Sequence, residues 1–210
     1  MDQRDYRKLL VVTSVLLVGQ GSALTPSPRF QWKASLSPSK DVGFSRETTA
    51  MPESVKMDLD DFSRRAAEDY PAWLQNLFRG IVRWRSDDPL RPGTGGALMF
   101  LGILEVLRFG DVHKDDHGDE GSYAGHTFPI TGGLLTRRGA LDPCGTLRFS
   151  CSRSPGSAGF EFKTELLDFP PSLVLPRAPR VCRAFVYSST QVKVHTWVMQ
   201  RYHNYRLRQL

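Results

Sequence analysis

Residues 188–210 read SSTQVKVHTWVMQRYHNYRLRQL, and this stretch decides the fold of the 210-residue chain. Its apolar and aromatic side chains recur at i, i+3, i+4, i+7, i+8 and i+11, the period of one helix face. The members of this face are Val194, Trp197, Val198, Arg201, Tyr202 and Tyr205. Ser188 and Gln191 have the spacing of a capping box. The stretch therefore predicts a closing helix of about four or five turns, although Gln191–Val198 also alternates well enough for a strand.

Upstream of this helix, apolar and polar residues alternate with the period of β-strands. Segment 146–153 puts Leu147, Phe149 and Cys151 on one face, and segment 160–169 does the same with Phe160, Phe162 and Thr164. Turn-forming residues separate these segments, so they predict antiparallel neighbours. Further strands are predicted at 97–109, where a buried helix is the alternative, and at 127–136 and 181–188.

Two helices are predicted before the strands. The first spans 57–70, with Asp58 as its N-cap, and Pro71 is expected to end it and to open the second. The second carries an apolar stripe at helical spacing, which favours a face packed on a core over a membrane-surface helix. The stripe consists of Trp73, Leu74, Leu77, Phe78, Ile81 and Val82.

The N-terminus is typical of a targeting sequence. Residues 1–23 combine a basic head, the apolar run 9–18 and small residues at Gly21 and Ala23, which predicts a secretory signal peptide. Residues 24–54 are basic, hydroxylated and poor in acid, which predicts a disordered or transit-like segment. The protein is therefore expected to enter the secretory pathway and to be secreted or sent on to a plastid-type organelle. A flexible secreted N-terminal arm is the competing interpretation, and Phe30 and Trp32 equally suit the start of a first strand. Residues 55–210 are expected to form a single α+β domain.

Charge and cysteine content limit the classes of partner. The formal net charge is +6, yet the chain has no dense Lys/Arg run of the kind that binds nucleic acid, so a nucleic-acid partner is not expected. The three cysteines, Cys144, Cys151 and Cys182, lack the CxxC spacing of a zinc site. They are interpreted as buried thiols, with Cys182 able to meet either of the others across a sheet.

The order of these elements resembles the helix-grip fold of START-like (SRPBCC-type) ligand-binding proteins. The resemblance implies a curved antiparallel sheet, two N-terminal helices and a long C-terminal helix that encloses a cavity. It further implies an apolar small molecule or lipid bound between the sheet and that helix. The implied lining residues are Trp197, Phe149, Phe162, Phe185 and Tyr202. A filled core on the same architecture is the alternative.

The acidic, histidine-containing loop 111–126 is the main polar cluster of the sequence. His113 and His117 lie four residues apart with Asp115 between them, a set that could ligate a divalent metal. A solvated hairpin tip is the favoured interpretation, because the loop lacks helical periodicity. No catalytic residue and no cofactor is predicted, since no nucleophile motif occurs in the chain.

Three hypotheses of function follow. The favoured one is a non-catalytic protein that binds an apolar ligand. The others are a metal-dependent enzyme centred on the 111–126 loop, and a peripheral membrane protein that uses the 73–82 stripe and the basic C-terminus.

Overall fold

The computed structural model of the chain describes residues 30–37, 42–52, 57–115, 122–136, 144–153, 159–171 and 191–210. These residues form nine strands and two helices. In chain order they are β1 (Phe30–Ser37), β2 (Val42–Met51), α1 (Leu59–Leu77), β3 (Val82–Ser86), β4 (Gly96–Phe100), β5 (Leu104–Phe109), β6 (His113–Lys114), β7 (Tyr123–Gly132), β8 (Thr146–Ser152), β9 (Phe160–Phe169) and α2 (Gln191–Arg208).

All the described strands belong to one curved antiparallel sheet in the order β1-β2-β9-β8-β7-β5-β4-β3, with the short β6 paired to β7. Both helices lie on one face of this sheet. Phe62 of α1 packs edge-on against Phe162 of β9, and Tyr202 of α2 packs edge-on against Phe149 of β8. The predicted α+β class, with a curved antiparallel sheet and a long C-terminal helix, is confirmed.

Several predicted elements are confirmed at close to their predicted bounds. β8 and β9 occupy segments 146–152 and 160–169, and α2 spans Gln191–Arg208 as a helix, so the strand alternative for its first half is wrong. β7 begins four residues before its predicted start. The predicted strand 181–188 lies outside the described residues.

The prediction of two N-terminal helices is wrong. One helix, α1, starts after the predicted N-cap Asp58, whose side chain accepts from the Asp61 N–H, and runs through Pro71 to Leu77. An interior proline costs about 3 kcal/mol, because it removes a backbone donor and crowds the preceding turn. The buried face of α1 continues across Pro71 from Tyr70 to Leu74, and this burial on the sheet outweighs the cost.

The apolar stripe also ends earlier than predicted. After Leu77 the backbone enters the left-handed region at Arg79 (φ 49°) and Gly80 (φ 78°), which reverses the chain. Val82 is therefore the first residue of β3 and not part of a helix face. The segment 97–109 likewise forms a hairpin, β4 and β5, and not one strand, because a second left-handed turn occurs at Leu101 and Gly102.

The sheet begins earlier in the chain than predicted. β1 and β2 lie inside segment 24–54, and β2 pairs with β9 along most of its length. Residues 30–52 are thus part of the folded domain, as the alternative of a strand from Phe30 proposed, and the predicted start at residue 55 is too late. The predicted signal peptide lies outside the described residues. Neither α1 nor α2 has the length and apolar character needed to cross a membrane.

Candidate functional site

The interface between α2 and the sheet contains three of the five residues implied as ligand-lining. Phe149, Phe162 and Tyr202 are fully buried, with the Tyr202 ring 5.9 Å from Phe149 and 6.4 Å from Phe162 between centroids. The Tyr202 hydroxyl donates a hydrogen bond to the backbone carbonyl of Ala66 in α1. At this point the space between helix and sheet is filled by protein side chains.

The other two implied lining residues lie elsewhere. Trp197, nearer the start of α2, is half-buried with its ring 6.2 Å from Phe78. The guanidinium of Arg201 lies 4.7 Å from the Trp197 ring. Phe185 lies outside the described residues.

Nearly two turns after Trp197 in α2, His203 is fully buried against the sheet. Its ring lies 4.6 Å from Phe162 and 5.4 Å from Phe30. Its Nδ1 lies 2.7 Å from Thr49 Oγ1, and its Nε2 lies 3.0 Å from Thr164 Oγ1. Burial, reinforced by the nearby His195, lowers the pKa of His203 to about 3, so the imidazole is neutral at physiological pH.

A hydrogen-bonded chain leads from His203 to Glu47. The Thr164 hydroxyl donates to Glu47 Oε2 at 3.2 Å, and the two residues face each other in the β2–β9 register. Because this donation uses the only Thr164 hydroxyl proton, its oxygen accepts from Nε2–H of His203. The Thr49 hydroxyl then donates to Nδ1. The neutral imidazole is thus held as its Nε2–H tautomer.

Glu47 is itself fully buried, and only one of its carboxylate oxygens takes part in this chain. In the part of the chain that the structure describes, Oε1 of Glu47 has no hydrogen-bond partner, and neither has Oγ of Ser45 on the same strand face. Nε2 of His195 lies 3.5 Å from Oε2 without hydrogen-bond geometry. A buried acceptor without a donor costs free energy, and a buried carboxylate costs more than a neutral group.

An exposed tryptophan stands beside this carboxylate. Trp32 on the edge strand β1 pairs directly with Glu47 in the antiparallel register, which places both side chains on the same face with Cβ atoms about 5 Å apart. Phe30, two residues earlier, contacts His203 and confirms that this face is the one covered by α2. Trp32 is nevertheless 56% exposed. We call Trp32, Ser45, Glu47 and His195 the Glu47 site.

A small apolar cavity of about 10 Å³ lies on the other half of the sheet. It is lined by Tyr70, Pro71, Trp84, Leu98, Phe109 and Phe128. That volume is about the minimum for a single water molecule, far below the size of a small-molecule chamber.

The residues predicted to bind a metal have other contacts. His113 lies in the exposed strand β6, paired with Thr127. Asp115 forms an ion pair with Arg148 at 2.9 Å and accepts a hydrogen bond from Tyr123. His117 lies outside the described residues. Across the described ranges, no three His, Cys, Asp or Glu side chains are arranged to hold a metal ion.

Most of the Glu47 site was missed by sequence reasoning. Trp32 and Glu47 fall in the segment that was expected to precede the domain. His195 lies two residues before Trp197 in the sequence and belongs to no recognisable motif. Three of the five inward positions of β2, Ser45, Glu47 and Thr49, are polar, so the strand lacks the sustained apolar alternation that would reveal its buried face.

Comparison with known proteins assigns no family to the chain. No family model and no curated protein matches the chain. Similar solved structures include an Arthrobacter aurescens protein (8% identity, 83% of this chain and 88% of that one, TM-score 0.36). Another is Ara h 8.0201, of the Bet v 1-like helix-grip type (14% identity, 82% of this chain and 97% of that one, TM-score 0.33). A third is CalU16 from Micromonospora echinospora (13% identity, 65% of this chain and 66% of that one, TM-score 0.28). These TM-scores carry no argument about function, and the fold class rests on the strand order and the position of α2.

Proposed function

We propose that the protein binds an amphipathic small molecule between the edge of the sheet and the first half of α2, with an ammonium group of the ligand paired to Glu47. The observation that carries this proposal is the fully buried Oε1 of Glu47, which lacks a hydrogen-bond partner within the described residues.

The chemistry of the Glu47 site favours a cationic donor. Among the described residues, one hydroxyl, that of Thr164, donates to Glu47, while the neighbouring imidazole of His203 is held neutral. A ligand ammonium would supply both the missing donor and the missing positive charge. The exposed ring of Trp32 on the same face offers a surface for a cation, and tryptophan is the aromatic residue that cations prefer.

The apolar part of the ligand would lie along the first half of α2. Val194 and Trp197 are half-buried there, whereas Tyr202 and His203 in the second half are fully buried against the sheet. Because Tyr202 fills the centre of the interface, the end of the sheet near Trp32 is the part of this interface with apolar surface left to cover.

The test compares three ligands with the same chain and different head groups. Purified protein is loaded with the neutral fluorescent probe N-phenyl-1-naphthylamine, and the probe is displaced with decylamine, decanol or decanoate. We expect decylamine to displace the probe at about 10-fold lower concentration than decanoate. Glu47→Gln should abolish this preference, and Trp32→Ala, at an exposed position, should weaken decylamine binding without unfolding the protein.

A matched control removes a carboxylate outside the site. Glu161 on β9 is half-buried and pairs with Lys163, so Glu161→Gln changes the net charge equally and should leave the head-group preference unchanged. Equal displacement by all three ligands, or a preference for decylamine that survives Glu47→Gln, would overturn the proposal. So would the absence of any probe binding to the folded protein.

A further inference from the structure

Exposed apolar side chains are concentrated where two left-handed turns meet, at the end of the sheet formed by β3, β4 and β5. The backbone N–H of Leu101 donates to the carbonyl of Ile81 at 2.7 Å, which joins the α1–β3 turn to the β4–β5 turn. Ile103 is 84% exposed, Leu101 58% and Ile81 39%. We call Arg79, Ile81, Arg83, Leu101 and Ile103 the hairpin tip.

The backbone at the hairpin tip is unusual for the residues it carries. Leu101 has φ 52° and Arg79 has φ 49°, values in the left-handed region where glycine or asparagine is the usual residue. An exposed leucine in this conformation bears a steric cost without the burial that normally offsets it. A contact made outside the folded chain would supply that burial.

The charge around the hairpin tip has one sign. Arg79 and Arg83 are exposed, and no acidic residue occurs in segments 76–86 or 97–104. The nearest downstream carboxylate in the sequence, Glu105, is engaged by Arg108 and lies 3.7 Å from Arg85. Among the described residues, the hairpin tip therefore combines protruding aliphatic side chains with exposed arginines and contains no carboxylate.

We propose that the hairpin tip docks the protein on an anionic phospholipid surface, with Leu101 and Ile103 entering the interface and Arg79 and Arg83 contacting the head groups. Aliphatic residues flanked by basic residues are the composition of interfacial membrane-binding segments. High exposure of single side chains on a narrow turn suits insertion among lipids, whereas a protein partner is usually met by a broader packed patch.

The hairpin tip differs from the membrane-binding surface predicted from the sequence, which consisted of the 73–82 stripe and the basic C-terminus. Trp73, Leu77 and Phe78 of the predicted stripe pack against the core, and Leu74 is buried. Of that stripe, only Ile81 belongs to the hairpin tip. The proposal is also independent of the Glu47 site, which lies at the opposite edge of the sheet.

The test is co-sedimentation of the full chain with phosphatidylcholine vesicles, with and without phosphatidylserine. We expect binding to the phosphatidylserine vesicles only, weakening as salt rises. The double variants Leu101→Ser/Ile103→Ser and Arg79→Ser/Arg83→Ser should each reduce vesicle partitioning about 10-fold. Because these side chains are exposed, thermal unfolding should show that both variants stay folded.

The control lies in the β3–β4 turn, at the opposite end of these strands from the hairpin tip. Leu90 is 93% exposed in the β3–β4 turn, next to the exposed Arg91, so Leu90→Ser/Arg91→Ser removes one leucine and one arginine far from the hairpin tip. It should bind vesicles like the unmodified protein, as should Glu47→Gln. Equal loss in this control, unchanged binding in both hairpin-tip variants, or no binding to anionic vesicles would each overturn the proposal.

Discussion

The hydroxyl of Tyr202 in α2 donates a hydrogen bond to the backbone carbonyl of Ala66 in α1, at the centre of the face where both helices cover the sheet. Burial is the main reason that the pKa of this hydroxyl is raised well above its ordinary value, so it remains a donor at all physiological pH values. Arg206, one turn later, adds a second link through Asp69 at 3.0 Å. These contacts hold the second half of α2 to α1, whereas the proposed function places the ligand along the first half.

Removing the Tyr202 hydroxyl should therefore weaken the association of the two helices. Tyr202→Phe keeps the ring contacts with Phe149 and Phe162 and deletes one buried hydrogen bond, which should lower the free energy of unfolding by about 1–2 kcal/mol. Urea unfolding measures the change. Tyr205→Phe, at a half-buried position in the same helix, is the control and should change stability by less than about 0.5 kcal/mol. Equal effects of the two variants would show that the Ala66 contact contributes nothing.

Acid should destabilise the fold through His203. Its pKa is about 3 in the folded protein and about 6.5 when unfolded, so below pH 6.5 the unfolded state binds the proton and the folded state does not. Stability is thus full above about pH 6.5 and falls as the pH is lowered towards 3. Between about pH 7 and pH 5, His203 alone should cost about 2 kcal/mol.

Urea unfolding at the two pH values, compared with His203→Gln, tests this expectation. The pKa of the buried His126 is lowered mainly by burial, with the same sign of pH dependence, so the variant should keep a smaller acid sensitivity. His113 is exposed, so His113→Gln should behave like the unmodified protein. An acid sensitivity in His203→Gln equal to that of the unmodified protein would contradict the assignment.

Gly133 allows a close approach between strands that a side chain would block. It has φ 111°, and an added Cβ would lie 2.5 Å from the backbone of Leu107. Gly133→Ala should lower the free energy of unfolding by about 2–3 kcal/mol. The adjacent Gly132 has no atom within 4 Å of an added Cβ, so Gly132→Ala is the matched control and should be nearly neutral. A tolerated Gly133→Ala in chemical denaturation would show that this strand end is free to move.

The elements that could be predicted from the sequence are those in which apolar residues recur with one period along the whole element. β8, β9 and α2 keep one period over their whole length, and each lies close to its predicted bounds. α1 shows why local signals fail, because packing of Tyr70 and Leu74 on the sheet carries the helix through Pro71. The turn at Leu101 could not be recognised within the apolar segment 97–109, because leucine is not a residue typical of turns.

The same difference separates Tyr202 from Glu47 at the interface between α2 and the sheet. The burial of Tyr202 against the sheet could be predicted, because this residue lies on the apolar face of a periodic helix. The burial of Glu47 could not be predicted, because it depends on pairing between β2 and β9, strands more than a hundred residues apart. A polar residue in a polar strand carries no sign of burial until that pairing is known.

Glu47 should also lower the stability of the ligand-free protein. A buried carboxylate with one oxygen unpartnered among the described residues carries a desolvation cost that its contact with Thr164 does not fully offset. Glu47→Gln keeps the shape and removes the charge, so it should raise the free energy of unfolding by about 1 kcal/mol while abolishing the preference for decylamine. Thermal unfolding without ligand measures the first effect. A variant less stable than the unmodified protein would mean that Glu47 acts as a structural ion-pair partner of His195, and the argument for a ligand ammonium at this carboxylate would then fail.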